Sequence, residues 1–268
     1  MLATIVGHIL AIGIGLSLGL IGGGGSILAV PILMYVLGLS PKTAIAVSLI
    51  VVGVVSALGA IPHWRRGHVN LPLALQFIPL AMVGAWGGSQ IARLPQVSEG
   101  VQLLAFATVM VVASVLMIRK GQRPSAQSAE TLAQPQAARR SSSRKVPNPI
   151  WQKVLVPLEG LGVGIVTGFV GVGGGFLIIP ALVLVGGVAM QEAIGTSLVI
   201  IAANSTAGFM GYVHQVTLDW GLIASFTLAA SGGTFLGAYL NRFLRAEQLQ
   251  KGFGYFVLAV AILVLIKQ

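Results

Sequence analysis

Cysteine is absent from the 268 residues, so disulfides, iron–sulfur clusters and thiolate zinc sites are excluded. Charge is scarce: 8% of residues are Asp, Glu, Lys or Arg, against about 25% in an ordinary soluble domain. Acidic residues number only six. Of these, Glu159 alone, in KVLVPLEGLGVG, lies inside an apolar segment. No cluster of acids, His or metal ligands falls at membrane depth, so an enzyme is not expected, and neither a cofactor nor a metal is implied. The phosphate-loop pattern G-x-x-x-x-G-K-[ST] is missing. The glycine-rich stretches follow no soluble strand and precede no ribose-binding acid, which excludes a dinucleotide fold.

What is present is apolar. Hydrophobic residues make up 56% of the chain and the mean hydropathy is +0.93. Long apolar runs recur at 44–61, 71–92, 101–118, 191–213, 218–240 and 252–266. Each approaches or reaches the roughly 17–25 residues needed to cross a bilayer as a helix. The short alternating strands of a membrane barrel do not appear. The fold class is therefore all-α, a polytopic helical membrane protein. The N-terminal MLATIVGHIL has no basic flank and no convincing cleavage site, and reads as part of a first helix.

The formal charge of +10 does not point to nucleic acid, because of where it sits. Eight of the sixteen Lys and Arg fall between Arg119 and Lys153, in one hydrophilic stretch rich in Ser, Ala, Gln and Pro. Cytoplasmic loops collect Lys and Arg, and such a composition cannot build a core. Residues 119–150 are expected to form a basic, disordered cytoplasmic linker, and 1–118 and 151–268 to be the membrane parts.

Those two parts resemble each other. Shifted by 149 positions, the distance from Pro31 to Pro180, GIGLSLGLIGGGGSILAVPIL (13–33) falls on GVGIVTGFVGVGGGFLIIPAL (162–182), and AIAVSL (44–49) on AIGTSL (193–198). Gly84 and Gly88 meet Gly233 and Gly237, and Arg93 meets Arg242. A fixed internal period of this kind signals a repeated architectural unit. In each copy a helix leads to a glycine cluster and then to an apolar segment of about twelve residues, which spans only about 18 Å. Each cluster should break a discontinuous or re-entrant helix where protein or water solvates the backbone. The loops at 63–68, 119–150 and 242–251 all carry positive charge, so all three belong on the cytoplasmic side. That requires an odd number of crossings per copy and inverted repeats. Four crossings per copy would instead leave the copies parallel and the Arg242–Lys251 loop outside.

Inverted repeats with broken helices suit a transporter, because helix N-termini at the breaks face the ligand. Free N–H groups and the positive end of the helix dipole favour an anion, and glycine lets it approach the backbone. Candidate substrate ligands are Gly23, Gly24, Gly25 and Ser26 facing Gly173, Gly174 and Gly175, with Ser48, Thr196, Ser197 and Asn204, and with Ser56 and Ser205 in support. Candidate coupling or vestibule residues are Glu159, His63, Arg65, Arg93 and Arg242. Arg66 and His68 share the loop with His63, and Arg93 and Arg242 equally fit snorkelling at helix ends. The G-x-x-x-G pairs at 15/19, 84/88, 164/168 and 233/237 read as helix-packing surfaces. A channel-like anion pore, a permease for another oxyanion or carboxylate, and a scaffold whose glycines only pack helices remain alternatives.

The segments GLIGGGGSILAVPIL, GFVGVGGGFLIIPAL, AIAVSL and AIGTSL, with the paired G-x-x-x-G spacings, resemble the TauE/SafE family of sulfite exporters and related permeases. The resemblance covers nearly the whole chain outside the linker. It implies an inner-membrane secondary transporter of small sulfur-containing anions such as sulfite or sulfoacetate. Its partners would be that anion and the bilayer, not nucleic acid; a homodimer is compatible with it. One departure is that the first cluster ends Gly25–Ser26 where the second has Gly174–Gly175.

Overall fold

The computed structural model describes residues 2–92, 99–122, 149–170, 175–210 and 216–266. Their regular structure is entirely helical: α1 (Leu2–Ile21), α2 (Gly25–Tyr35), α3 (Pro41–Arg65), α4 (Leu71–Ala92), α5 (Glu99–Gln122), α6 (Pro149–Val170), α7 (Gly175–Pro180) running into a π-helical turn (Ala181–Val185), α8 (Met190–Met210), α9 (Trp220–Asn241) and α10 (Ala246–Ile266). Five of these are long and apolar enough to cross a membrane, over Thr4–Ile21, Lys42–Arg65, Leu71–Gly88, Met190–Met210 and Trp220–Asn241. The first of them is absent from the runs read off the sequence, because its glycines and His8 interrupt the apolar pattern. Helices α5 and α6 run to Gln122 and from Pro149, so both overrun the expected linker limits of 119 and 150. The remainder of that linker lies outside the described residues.

Local chemistry sets the helix limits. Ser40 caps α3 by accepting the Thr43 N–H, with Pro41 at the first helical position, and Asp219 caps α9 by accepting the Leu222 N–H at 3.0 Å. A side-chain acceptor at this position satisfies a donor that the helix itself leaves open. Gly67, with φ +71°, closes α3 in a left-handed turn. Helix α3 therefore reaches Arg65, and His63, expected in a loop, sits in its last turn.

Small residues decide how the helices associate. A Cβ on Gly15 or Gly19 would overlap the carbonyl of Ala230 or Thr234, and one on Gly233 or Gly237 would overlap that of Ile12 or Leu16. The same holds between α4 and α6, where Gly84, Gly88, Gly164 and Gly168 lie against the carbonyls of Leu161, Ile165, Ala81 and Ala85. Helices α1 and α9 thus run parallel at backbone-to-backbone distance, as do α4 and α6, which is the packing role such spacings serve in membranes. Helices α3 and α8 run antiparallel instead: Gly53 lies against Ser205, Gly59 against Leu198, Gly208 against Leu49 and Gly195 against His63. Around these pairs the core is apolar, with Leu18, Val51, Phe77, Phe176, Ile194, Phe226 and Phe253 buried. The outer surface is apolar too. Leu75, Trp86, Met210 and Leu228 are at least 60% exposed, as expected of a surface that faces lipid.

Candidate functional site

The first glycine cluster forms a tight reversal. Gly22 adopts φ +87°, a conformation that side chains disfavour, and its N–H bonds the Leu18 carbonyl at 2.8 Å. Helix α2 then runs back along α1: Gly25 packs on the Ile14 carbonyl, and Leu37 reaches Gly7. Gly24, at the head of α2, has no side-chain cap. Ser26 Oγ donates to the Gly23 carbonyl at 2.7 Å.

The two clusters meet. A Cβ on Gly23 would overlap the carbonyl of Gly175, and one on Gly175 would come within 2.8 Å of Ser26 Oγ. Ser197 joins them, its Oγ 2.8 Å from where a Gly22 Cβ would stand. Gly23, Gly24, Gly25, Ser26, Gly175 and Ser197 are therefore neighbours. Gly173 and Gly174 lie outside the described residues.

Other candidates fall elsewhere. Thr196 Oγ1 accepts the Asn70 N–H at 3.0 Å, so it secures the loop between α3 and α4. Asn70 also donates from Nδ2 to Glu192 at 2.9 Å and caps α4 through Leu73 N at 3.1 Å. Ser48 Oγ donates to its own helix at Ile45 O, 2.8 Å. Asn204 Oδ1 and Ser56 Oγ are buried without a hydrogen-bond partner. They lie on α8 and α3, near the crossing marked by Gly53 and Ser205.

The basic residues gather at one end of the bundle. His63 is fully buried, its Nε2 3.4 Å from the Gly19 carbonyl. It is not the solvent-facing anchor its neighbours suggest, because α3 carries it against the end of α1. Arg65 is exposed beside it, and Arg66 donates to Ala238 O at 3.0 Å. One turn on, the Arg242 guanidinium stacks 3.6 Å from the Tyr239 ring centroid and 4.5 Å from that of Phe243. At the start of α10, Gln250 donates to Met117 O, two residues before Arg119. Arg93 lies outside the described residues. Glu159 stands apart on α6, with both carboxylate oxygens buried and unpartnered.

Sequence reasoning passed over two side chains that bond the backbone of α1, and a serine within it. Thr234 Oγ1 donates to Gly15 O at 2.9 Å and Asn241 Nδ2 to Leu20 O at 2.6 Å. Ser17, within α1, is buried. A lone polar residue within a glycine-rich apolar run is the signal that marks each of them. The described residues bring backbone dipoles and hydroxyls together inside an apolar bundle.

A family model described as "Sulfite exporter TauE/SafE" matches residues 8–264. Among curated sequences, the chain is 33% identical over 256 residues to a "Probable membrane transporter protein" of Xylella fastidiosa (strain Temecula1), covering 94% of this chain and 91% of that one. A protein of the same description from strain 9a5c is 33% identical over 258 residues, with the same coverage. The "Probable membrane transporter protein YjnA" of Bacillus subtilis (strain 168) is 24% identical over 264 residues, covering 94% and 93%. No solved structure matches the chain.

Proposed function

The chain belongs to the TauE/SafE sulfite exporter family, a family of multi-pass membrane transporters and not of enzymes, and on that premise we propose that it is a secondary transporter of small sulfur-containing anions. Sulfite and organosulfonates such as sulfoacetate are the substrate class. The anion binds where the two glycine breaks meet, and access alternates between two inverted repeats, 1–118 and 151–268. The basic linker 119–150 lies on the cytoplasmic face of the inner membrane.

The observation that carries this reading is the approach of Gly23 to the Gly175 carbonyl. The reversal after α1 and the start of α7, far apart in sequence, bring glycine backbone together inside an apolar bundle. Support for inversion comes from the pairing of helices. Helices α4 and α9 share the 149-residue offset in both their limits. Shifting α1 and α9 by that offset exchanges their pairing for that of α6 and α4. The helices that correspond across the offset, α3 and α8, pack antiparallel. An axis that relates antiparallel spanning helices lies in the plane of the membrane, as in inverted-repeat transporters.

The chain carries no ATP-binding motif, so the driving force is the membrane potential or a proton gradient. One negative charge crossing 100 mV changes energy by about 2.3 kcal/mol, which favours export from a negative interior. Counterflow in proteoliposomes tests the reading. Vesicles loaded with unlabelled sulfite or sulfoacetate should transiently accumulate the labelled anion. Gly24→Ala meets only Phe256 and Ser17 side-chain atoms at 3.1–3.3 Å, so it should stay folded and lose most of this flux. A pore would equilibrate label at high speed without overshoot, and a scaffold would show no flux.

A further inference from the structure

Ser17 is 8% exposed, yet its Oγ has no hydrogen-bond partner. Serines in membrane helices ordinarily satisfy themselves on a carbonyl one turn back, as Ser48 and Ser197 do here. Ser17 does not. Its hydroxyl is aimed at the first break: a Cβ on Gly24 would stand 3.2 Å from Ser17 Oγ, and 3.1 and 3.3 Å from Cε1 and Cδ1 of Phe256. A hydroxyl and the Phe256 ring thus close on the same uncapped glycine. Behind Gly24 lies an 11-residue helix, whose first-turn N–H groups have no partner within the helix and carry the positive end of its dipole. The hydroxyl is a donor, and both it and the helix start suit a negatively charged oxygen.

The sequence-equivalent positions of the second repeat carry neither side chain. Offset by 149 positions, Ser17 becomes Val166 and Phe256 corresponds to Ala107. The helical backbone that follows, Gly175–Val185, matches α2 in length, so the difference lies in the side chains beside the break.

We propose that the transported anion is held at the first break alone, with Ser17 Oγ donating to one of its oxygens beside the N–H groups that open α2, and with Phe256 limiting its size. The second repeat contributes the close-packed backbone at Gly175 and apolar surroundings. This rests on the reading of the breaks as the anion path, and it makes the two repeats unequal in binding though alike in fold.

The test is counterflow with labelled sulfite and with labelled sulfoacetate, run on the full chain. Wild type should saturate. Ser17→Ala should raise the half-saturating concentration about tenfold, the scale of a lost hydrogen bond to a charged group, with the maximal rate within about twofold. Ser17→Thr should restore it, and Val166→Ala should leave it unchanged. Phe256→Ala should shift preference towards sulfoacetate. Because the chain has no cysteine, Ser17→Cys gives a single thiol, and sulfoacetate should slow its alkylation by iodoacetamide. Saturable wild-type flux with an unchanged Ser17→Ala half-saturation, or a Ser17→Cys thiol that sulfoacetate does not protect, overturns the single-site proposal and leaves the transport reading standing. Wild-type vesicles without counterflow of either anion overturn both.

Discussion

A hydroxyl inside an apolar bundle needs a partner, and the partner it finds decides what the residue does. Ser197 donates to Ile194 O and still borders Gly22. Thr196, its neighbour in sequence, is fully buried and accepts the Asn70 N–H. Adjacent residues on a helix point about 100° apart, so only one of this pair can face the break while the other faces the α3–α4 loop. Thr196→Val would strand a main-chain donor, which costs about 1–3 kcal/mol. It should lower the melting temperature in detergent, whereas Ser48→Ala, which removes only a bond within its own turn, should hardly move it. Equal melting of the two variants would show that Thr196 does not secure the loop. The sequence grouped the glycines and Ser197 beside a short apolar segment, and Gly22, Gly23, Gly175 and Ser197 are neighbours in the fold. Thr196 was grouped with them as one of several membrane hydroxyls, and in the fold its oxygen accepts from the α3–α4 loop. Ser17 was not legible, because its role depends on a residue, Phe256, far along the chain.

At the scale of helices, the contact surfaces are built from positions without side chains. Gly233 packs on the Ile12 carbonyl, while Gly232, its neighbour, has open space where a Cβ would go. The pair separates packing from helix propensity. Gly233→Ala has to push α1 and α9 apart, so it should lose expression and elute as aggregate on size exclusion. Gly232→Ala should behave as wild type or melt slightly higher, since alanine exceeds glycine in helix propensity by about 1 kcal/mol. If both variants elute alike, the α1–α9 contact is not set by this glycine. The G-x-x-x-G spacing was readable from the sequence. Which helix each motif meets was not, because a small-residue stripe is complementary to any other, and the motif of α1 faces α9 instead of its equivalent on α6. The π-helical turn after Pro180 also left no trace in the apolar pattern, since Ala181–Val185 reads like any other aliphatic run.

For the whole molecule, orientation follows from where positive charge collects. Arg66 bonds the end of α9 next to Arg242, and Gln250 bonds the end of α5 next to Arg119. Loops far apart in sequence therefore share one face. Lys and Arg favour the cytoplasmic side, so this face is predicted to be cytoplasmic and the face with Ser40 external. Charge counting in the sequence pointed the same way, because the rule depends on composition near helix ends and needs no tertiary structure. The absence of cysteine makes the prediction direct to check. Ser40 and Gln248 are both exposed, and each can be replaced singly by cysteine. With a membrane-impermeant maleimide applied to intact cells, Ser40→Cys should react at once and Gln248→Cys only after the membrane is opened. Inverted repeats require that difference. Parallel repeats with four crossings each would carry the 242–251 loop to the outside, and Gln248→Cys would then label on intact cells as readily as Ser40→Cys.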